Sequence, residues 1–157
     1  MTRVLYTAQA HVTGGRTEGH GRTSDGALDV ELRSPSEMGG EGGGTNPEQL
    51  FAIGFAACFE SALGVAARRA RQEAGDVAID AKVMLLPTGD GGFKLAVTLD
   101  VVLPSVSDPA AAIELVRAGH RVCPYSNATR GNIDVTLTAN GQPVDLHERD
   151  VPRPATD

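Results

Sequence analysis

Two cysteines are the most reactive side chains in this chain of 157 residues. Cys58 lies in the middle of a strongly apolar stretch with the character of a helix, where a cysteine is most often an inert small hydrophobic residue. Cys123 lies far along the chain, in the segment VCPY at residues 122–125. Only the fold could bring the two thiols together, so their spacing leaves open whether they are inert or redox-active.

Other catalytic and metal-binding motifs are weakly represented. The four histidines have neither HxxxH nor HExxH spacing, and neither cysteine belongs to a CxxC pair, so a metal site is poorly supported. The GxSxG elbow of serine hydrolases is absent from the sequence. A glycine-rich loop at residues 38–44 precedes a helix but lacks the lysine of a phosphate-binding loop, which argues against nucleotide binding.

Length and charge limit the classes of function further. A chain of this length predicts one domain over residues 1–157. It has 20 acidic against 14 basic residues, a net charge of −6, and no basic stripe with aromatic residues, so we expect no nucleic-acid partner. The N-terminal segment has no secretory pattern, and the longest apolar run, residues 50–59, is shorter than the roughly 20 residues of a membrane span. We therefore expect a cytoplasmic protein that does not cross a membrane, in a compartment where thiols stay reduced.

The elements that must position the cysteines follow from hydrophobic periodicity. Apolar residues alternate over residues 4–12 and again over 28–32 after an Asp-Gly turn signal, which predicts an antiparallel meander. A helix follows from Pro47, with Thr45 or Asn46 as its N-cap and Glu48 or Gln49 closing a capping box. Because residues 50–67 are almost entirely apolar or small, this helix is predicted to be central and buried on all sides.

The second half predicts a hairpin, a helix and a final strand. Residues 77–85 and 95–103 alternate on either side of a glycine-rich turn. Asp108 and Pro109 begin a helix that runs to about residue 118, and a strand covers residues 133–137. The tail, about residues 147–157, is predicted to be loose. This order of elements indicates an α+β fold.

Two longer motifs resemble one known family. GGTNPEQLF at residues 43–51, followed by AACF at 56–59, and HRVCPYSNATRGNI at 120–133 closely resemble the organic hydroperoxide resistance (Ohr) branch of the OsmC/Ohr family. TGGR at residues 13–16 and SDG at 24–26 are similar to it as well. The resemblance covers residues about 4–145, and the NPEQ and VCPYSN segments favour the Ohr branch over its OsmC sibling.

This resemblance implies a thiol-dependent peroxidase of organic hydroperoxides. Cys58 matches the family's peroxidatic cysteine and Cys123 its resolving cysteine, while Arg16 and Glu48 match a charged pair beside the reactive sulfur. The implied fold is an intertwined homodimer in which antiparallel sheets wrap around central helices. The implied reductant is dihydrolipoamide on lipoylated proteins, with no bound cofactor and no metal.

Elementary chemistry supports three of these roles, those of Cys58, Arg16 and Glu48. A thiolate in an apolar site has a raised pKa unless a cation compensates, and Cys58 lies too deep in its helix for the N-terminal dipole to act on it. Arg16 is the candidate cation, and Glu48 would orient it through a bidentate pair. Glu48 and Cys58 are about 15 Å apart along a continuous helix. We therefore expect either that Arg16 bridges the gap or, as our hypothesis, that a partner subunit supplies the glutamate.

The reaction predicted from the resemblance has three steps. The Cys58 thiolate attacks the hydroperoxide, Cys123 condenses with the resulting sulfenic acid, and a dithiol reopens the disulfide. Four apolar residues are candidate walls of the substrate pocket, although most of them are expected to be core: Leu50, Phe51, Phe55 and Phe59. The alternatives are a non-enzymatic two-cysteine redox sensor, a ligand-binding module, or a peroxidase of the OsmC branch.

Overall fold

The structure is a computed structural model that describes residues 3–146. The chain forms two compact units, the first reaching to Leu50 and the second beginning at Phe51. Helices and two separate β-sheets make up the fold, so the predicted α+β class is confirmed. The predicted loose tail lies outside the described residues, and the single domain stays a prediction.

The first unit contains a three-stranded antiparallel sheet in the order β1-β2-β3. Strand β1 covers Ala10–Thr13, β2 covers Glu18–Thr23 and β3 covers Asp29–Arg33. Gly14 and Gly26 have φ angles of 70° and 71° in the two turns, a left-handed conformation that glycine adopts without steric cost. The predicted opening meander is therefore confirmed.

The first predicted strand, residues 4–12, is shorter than its pattern suggested. Only Ala10–Thr13 pairs with β2. Val4 and Tyr6 are 74% and 79% exposed. A β-strand needs a neighbouring strand to bond its backbone groups. Because β2 pairs only with Ala10–Thr13 of this segment, the prediction of a strand is wrong for residues 4–9.

Helix α1 covers Pro47–Ala70, and it begins where the local sequence predicts. The Asn46 side chain accepts a hydrogen bond from the backbone N–H of Gln49 at 2.9 Å, so Asn46 rather than Thr45 caps the first turn. Pro47 occupies the first helical position, where its missing N–H costs no hydrogen bond.

Burial of α1 on all sides is not observed in this chain, and that prediction is wrong for the described residues. Ile53 is 69% exposed, and Ala57 and Glu60 are exposed near it on the same face. On this face the helix therefore presents apolar and charged side chains that residues 3–146 leave exposed. The opposite face is buried and is formed by apolar residues: Phe55, Phe59, Ala62, Leu63, Ala66 and Ala67.

Among the described residues, α1 alone is long and apolar enough to cross a membrane by length and composition. The apolar run at residues 50–59 had indicated otherwise, because it stops at Glu60. Helix α1 continues past Glu60 to Ala70, and the residues from 61 to 67 are again small or apolar. The core helix of a soluble protein meets the same two criteria, so this property alone is weak evidence for a span.

The second unit contains a four-stranded sheet in the order β4-β5-β6-β7. Strand β4 covers Ala78–Pro87, β5 Phe93–Val102, β6 Asp134–Ala139 and β7 Gln142–Val144. Strands β4 and β5 form the predicted hairpin, but β5 and β6 run parallel, which corrects the expectation of purely antiparallel sheets. A parallel pair needs a crossover of about a dozen residues or more, and two helices between β5 and β6 provide it.

These crossover helices are α2, Pro109–Val122, and α3, Pro124–Thr129. The Asp108 carboxylate accepts a hydrogen bond from the Ala111 N–H at 2.9 Å, so the predicted N-cap of α2 is confirmed. The helix continues about one turn beyond its predicted end near residue 118. Helix α3 and strand β7 were not predicted, because neither is long enough to show a hydrophobic period.

Close packing of α2 against α1 depends on Gly119. A Cβ atom at this position would lie 2.8 Å from Cδ2 and 3.1 Å from Cγ of Leu63, which is fully buried. We expect Gly119→Ala to lower the free energy of unfolding by about 1–3 kcal/mol, because overpacking outweighs the better helix propensity of alanine. Urea unfolding measures this difference. Gly89→Ala, where the new Cβ meets nothing within 4 Å, is the control, and equal stability of the two variants would contradict the close approach.

Candidate active site

Cys58 and Cys123 lie side by side in the second unit. Cys58 is on α1 and partly exposed, whereas Cys123 lies between α2 and α3 and is fully buried. Both thiols are free, and their Sγ atoms are 3.7 Å apart. Because a disulfide bond is about 2.05 Å long, the two sulfur atoms would need to move only a short distance to form one when an oxidant takes up their two electrons.

The local sequence explains why Cys123 leaves the helix. Helix α2 ends at Val122, and Cys123 has an extended backbone with φ −63° and ψ 122°. Proline disfavours the helical conformation in the residue before it, so Pro124 enforces this break. Pro124 then occupies the first position of α3, where its ring fits a helix start. The Cys-Pro step therefore ends one helix, begins the next and places the thiol at their junction.

Three aromatic rings form a cluster in the same unit. The ring centroids of Phe51, Phe55 and Tyr125 are 5.6–5.9 Å apart. Gly54 makes room for Tyr125, because a Cβ at position 54 would lie 3.1 Å from the tyrosine hydroxyl. Phe55 lies three residues before Cys58, a spacing that puts both on one side of α1.

The four apolar residues considered as pocket walls differ in burial. Phe55 and Phe59 are fully buried and belong to the core, as expected for most of the set. Leu50 and Phe51 are half-buried. Tyr125, which is 38% exposed, joins the aromatic cluster from α3 and was not among the predicted residues.

The surroundings of Cys58 disfavour its charged form. Burial raises the pKa of the Cys58 thiol, and the neighbouring Cys123 raises it further. The backbone N–H of Tyr125 acts in the opposite direction, because its hydrogen bond to the sulfur lowers the pKa, but the net shift is upward. A positive charge close to the Cys58 sulfur would act against this upward shift of the pKa.

Arg16 and Glu48 form an ion pair within the first unit. Arg16 follows the glycines of the β1–β2 turn, and Glu48 lies in the first turn of α1, where an acidic side chain is favoured by the helix dipole. Arg16 Nη2 donates to Glu48 Oε1 at 2.9 Å and Nη1 to Oε2 at 3.4 Å. Glu48 is 17% exposed, and the Met38 sulfur lies 4.0 Å from Arg16 Nη1. The carboxylate thus fixes the plane of the guanidinium, as a bidentate pair does.

The four residues selected from the sequence therefore form two contacting pairs, Cys58 with Cys123 and Arg16 with Glu48. The glutamate that contacts Arg16 belongs to the same chain. Supply of Glu48 to the reactive cysteine of a partner subunit stays a prediction. Over residues 3–146, no group of three or more His, Cys, Asp and Glu side chains is placed to hold a metal ion.

Sequence reasoning missed Arg130, whose side chain reaches the end of α2. Its Nη2 donates to the His120 carbonyl at 2.9 Å, and its Nη1 donates to Asn127 Oδ1 at 2.8 Å. The two acceptors lie on either side of Cys123 in the sequence. The sequence shows only that Arg130 belongs to the motif at residues 120–133. It does not show which groups the guanidinium contacts.

Comparison with known proteins gives consistent matches over most of the chain. Residues 40–138 match the family model described as OsmC-like protein. The organic hydroperoxide resistance protein of Xanthomonas axonopodis pv. citri (strain 306) is 54% identical over 140 residues, which cover 87% of this chain and 95% of that protein.

Solved structures agree with these matches. The crystal structure of an organic hydroperoxide resistance protein from Legionella pneumophila has a TM-score of 0.82 and 49% identity, covering 86% of this chain and 97% of that chain. The crystal structure of the organic hydroperoxide resistance protein OhrB of Bacillus subtilis has a TM-score of 0.78 and 47% identity, covering 85% and 98%.

Proposed function

The chain belongs to the OsmC-like family and, within it, to the organic hydroperoxide resistance proteins, and from that premise we propose that it is a thiol-dependent peroxidase of organic hydroperoxides. The observation that carries this proposal is the 3.7 Å separation of the two free sulfur atoms. Two thiols at this distance can pass two electrons to a peroxide and end as a disulfide.

The exposure of the two sulfurs supports the roles that we propose for them. Cys58 is partly exposed, so a hydroperoxide can approach it, whereas Cys123 is fully buried and meets only species formed inside the protein. The Cys58 thiolate attacks the outer oxygen of the hydroperoxide and the O–O bond breaks. The departing alkoxide takes a proton and leaves as an alcohol, while Cys58 becomes a sulfenic acid.

Cys123 then resolves the sulfenic acid. Its sulfur attacks the Cys58 sulfur, the S–O bond breaks, and the hydroxyl leaves as water with the proton of the Cys123 thiol. An external dithiol reduces the Cys58–Cys123 disulfide by exchange and is itself oxidised to a disulfide. We propose dihydrolipoamide of lipoylated proteins as this reductant, so the cycle needs neither a bound cofactor nor a metal. The cytoplasm, where thiols stay reduced, is the proposed compartment.

Arg16 and Glu48 are proposed to activate Cys58. Burial raises the pKa of Cys58, and a guanidinium is the cation that compensates, because it stays charged at any pH the protein meets. Glu48 holds Arg16 through two hydrogen bonds and so fixes its orientation. This role is supported by the ion pair itself and by the family motifs that contain both residues.

The aromatic cluster is the proposed contact for the organic part of the substrate. Phe51 is half-buried and Tyr125 is 38% exposed, so both present ring surface that an alkyl chain can cover. An organic hydroperoxide would gain this apolar contact, whereas hydrogen peroxide would not. We therefore expect alkyl hydroperoxides to be the faster substrates.

The exposed face of α1 is the proposed contact of a homodimer. Ile53 is 69% exposed in the second turn of α1, and a second copy of the chain would bury this side chain. We expect Ile53→Asp to convert a dimer to a monomer in light scattering after gel filtration, because a buried carboxylate without a partner costs several kcal/mol. Phe93→Asp is the matched control, since Phe93 is 70% exposed on β5. A monomeric wild-type protein, or the same loss in both variants, would contradict this interface.

Turnover with a dithiol tests the proposed function. Purified protein is incubated with an alkyl hydroperoxide and dihydrolipoamide, and peroxide loss is followed over many equivalents. We expect sustained consumption that requires both the dithiol and Cys58. Oxidation that stops after one equivalent per chain, with no reduction by any dithiol, would contradict an enzyme and favour a redox sensor.

A further inference from the structure

The resolving step depends on where the junction of α2 and α3 places one sulfur atom. Cys58 lies within the unbroken helix α1, so its sulfur is carried by a long rigid element. Cys123 lies at a break between two helices, the second of which has only six residues. The distance between the two sulfur atoms is therefore most sensitive to the geometry of that break.

Backbone hydrogen bonds tie Cys123 to both helices. Its N–H donates to the Gly119 carbonyl at 2.9 Å, and its own carbonyl accepts from the Asn127 N–H at 3.0 Å. The first bond attaches Cys123 to the end of α2, and the second attaches it to the start of α3. Because each bond closes a turn on its own side of the break, neither fixes the angle between the two helices.

Arg130 and Asn127 connect the two helices across the break through their side chains. Its guanidinium donates to the His120 carbonyl in the last turn of α2 and to the side chain of Asn127 in α3, at 2.9 and 2.8 Å. The Asn127 side chain in turn donates to the Arg121 carbonyl at 3.4 Å. The Arg130–Asn127 pair thus binds two carbonyl groups at the C-terminal end of α2. The positive charge of Arg130 also complements the helix dipole at this end.

We propose that Arg130 is a positioning residue for the resolving step: it holds the α2–α3 junction so that Cys123 can reach the Cys58 sulfenic acid. The proposal rests on the proposed function and concerns the formation of the disulfide, not the attack on the hydroperoxide. Attack of Cys58 on a hydroperoxide does not use the Cys123 sulfur, and α3 acts on that step only through the Tyr125 N–H and ring, so loss of Arg130 affects the first step less than the second. Disulfide formation requires the sulfurs to close from 3.7 Å to about 2.05 Å, so it is the step that slows.

Arg130→Gln separates the two steps. We expect consumption of the first hydroperoxide equivalent within about 2-fold of wild type, and disulfide formation slower by roughly 10-fold or more, because a displacement of about 1 Å can cost that much in a positioned reaction. Dimedone, which traps sulfenic acids, should label Cys58 of this variant and not of wild type. Arg130→Lys keeps the charge but loses the paired N–H donors of the guanidinium. We therefore expect its rate of disulfide formation to lie between those of wild type and Arg130→Gln.

Two further variants test whether the effect is specific to the contacts of Arg130. Asn127→Ala removes one acceptor of the guanidinium and the 3.4 Å bond to the Arg121 carbonyl, but it keeps the 2.9 Å bond of Arg130 to the His120 carbonyl, so it should slow disulfide formation less than Arg130→Gln. Arg69→Gln, at an exposed arginine in the last turn of α1, should change neither step. Equal slowing of both steps in Arg130→Gln and Asn127→Ala would show a merely structural role and overturn the proposal, as would disulfide formation at the wild-type rate.

An equilibrium measurement distinguishes failure of this inference from failure of the proposed function. The Cys58–Cys123 disulfide is equilibrated with dithiothreitol buffers, which requires no peroxidase activity. We expect the equilibrium constant for disulfide formation to fall by about 10-fold in Arg130→Gln, because the two thiols are held together less well. An unchanged constant would overturn the positioning role even in a chain that consumes no peroxide.

Discussion

Cys58→Ser is expected to abolish turnover, with consumption of an alkyl hydroperoxide falling by roughly 10³-fold or more. A serine hydroxyl is not ionised near neutral pH, and the mechanism places no base beside it to take its proton. Cys123 cannot substitute, since it is fully buried. Peroxide loss in the presence of dihydrolipoamide, measured against wild type at equal concentration, gives the ratio.

Cys123→Ser is the matched control for this prediction. It removes the second sulfur and leaves Cys58 on α1, so the first equivalent of hydroperoxide should be consumed at a rate close to that of wild type. The product should be a Cys58 sulfenic acid rather than a disulfide. Sustained peroxide consumption by the Cys58→Ser protein would contradict the assignment of the attacking sulfur.

Arg16→Gln is expected to slow the first step by roughly 10- to 100-fold at neutral pH, because a thiolate then lacks its compensating cation. Burial already raises the pKa of Cys58, and removing a positive charge raises that pKa further. The thiolate is the form present above the pKa, so the deficit should shrink as the pH rises. The rate of Cys58 alkylation across the pH range measures this shift, and the midpoint should move upward in the variant.

Arg33→Gln provides the control for a lost ion pair. Arg33 contacts Glu31 at 2.8 Å, and both residues lie on β3 of the first unit. This variant therefore also breaks an arginine–glutamate pair. Its alkylation midpoint should match that of wild type. An unchanged midpoint in Arg16→Gln, or equal shifts in both variants, would contradict the proposed role of Arg16 toward Cys58.

Local signals in the sequence predicted much of the fold. The Asn-Pro start of α1, the Asp-Pro start of α2 and the β4–β5 hairpin are encoded by residues next to one another, and all three are confirmed. The short first strand and the parallel pairing of β5 with β6 were missed. Both depend on which distant segment lies alongside, and periodicity carries no information about the partner of a strand.

Prediction of the candidate site has the same limit. The motifs identified Cys58, Cys123, Arg16 and Glu48, but neither the 3.7 Å between the sulfurs nor the two hydrogen bonds of the ion pair follow from spacing. Statistics for an apolar helix indicated an inert Cys58. Burial of one thiol and partial exposure of the other, on which the proposed resolving and attacking roles rest, are properties of the packed chain.

Peptide mapping after one equivalent of an alkyl hydroperoxide tests the central claim most directly. The wild-type chain is oxidised without dithiol, alkylated and digested, and the products are identified by mass spectrometry. The proposed cycle predicts one alcohol released per chain and a single new cross-link between the peptides that contain Cys58 and Cys123. Two reduced cysteines after the peroxide has been consumed, or oxidised Cys58 that never joins Cys123, would contradict it.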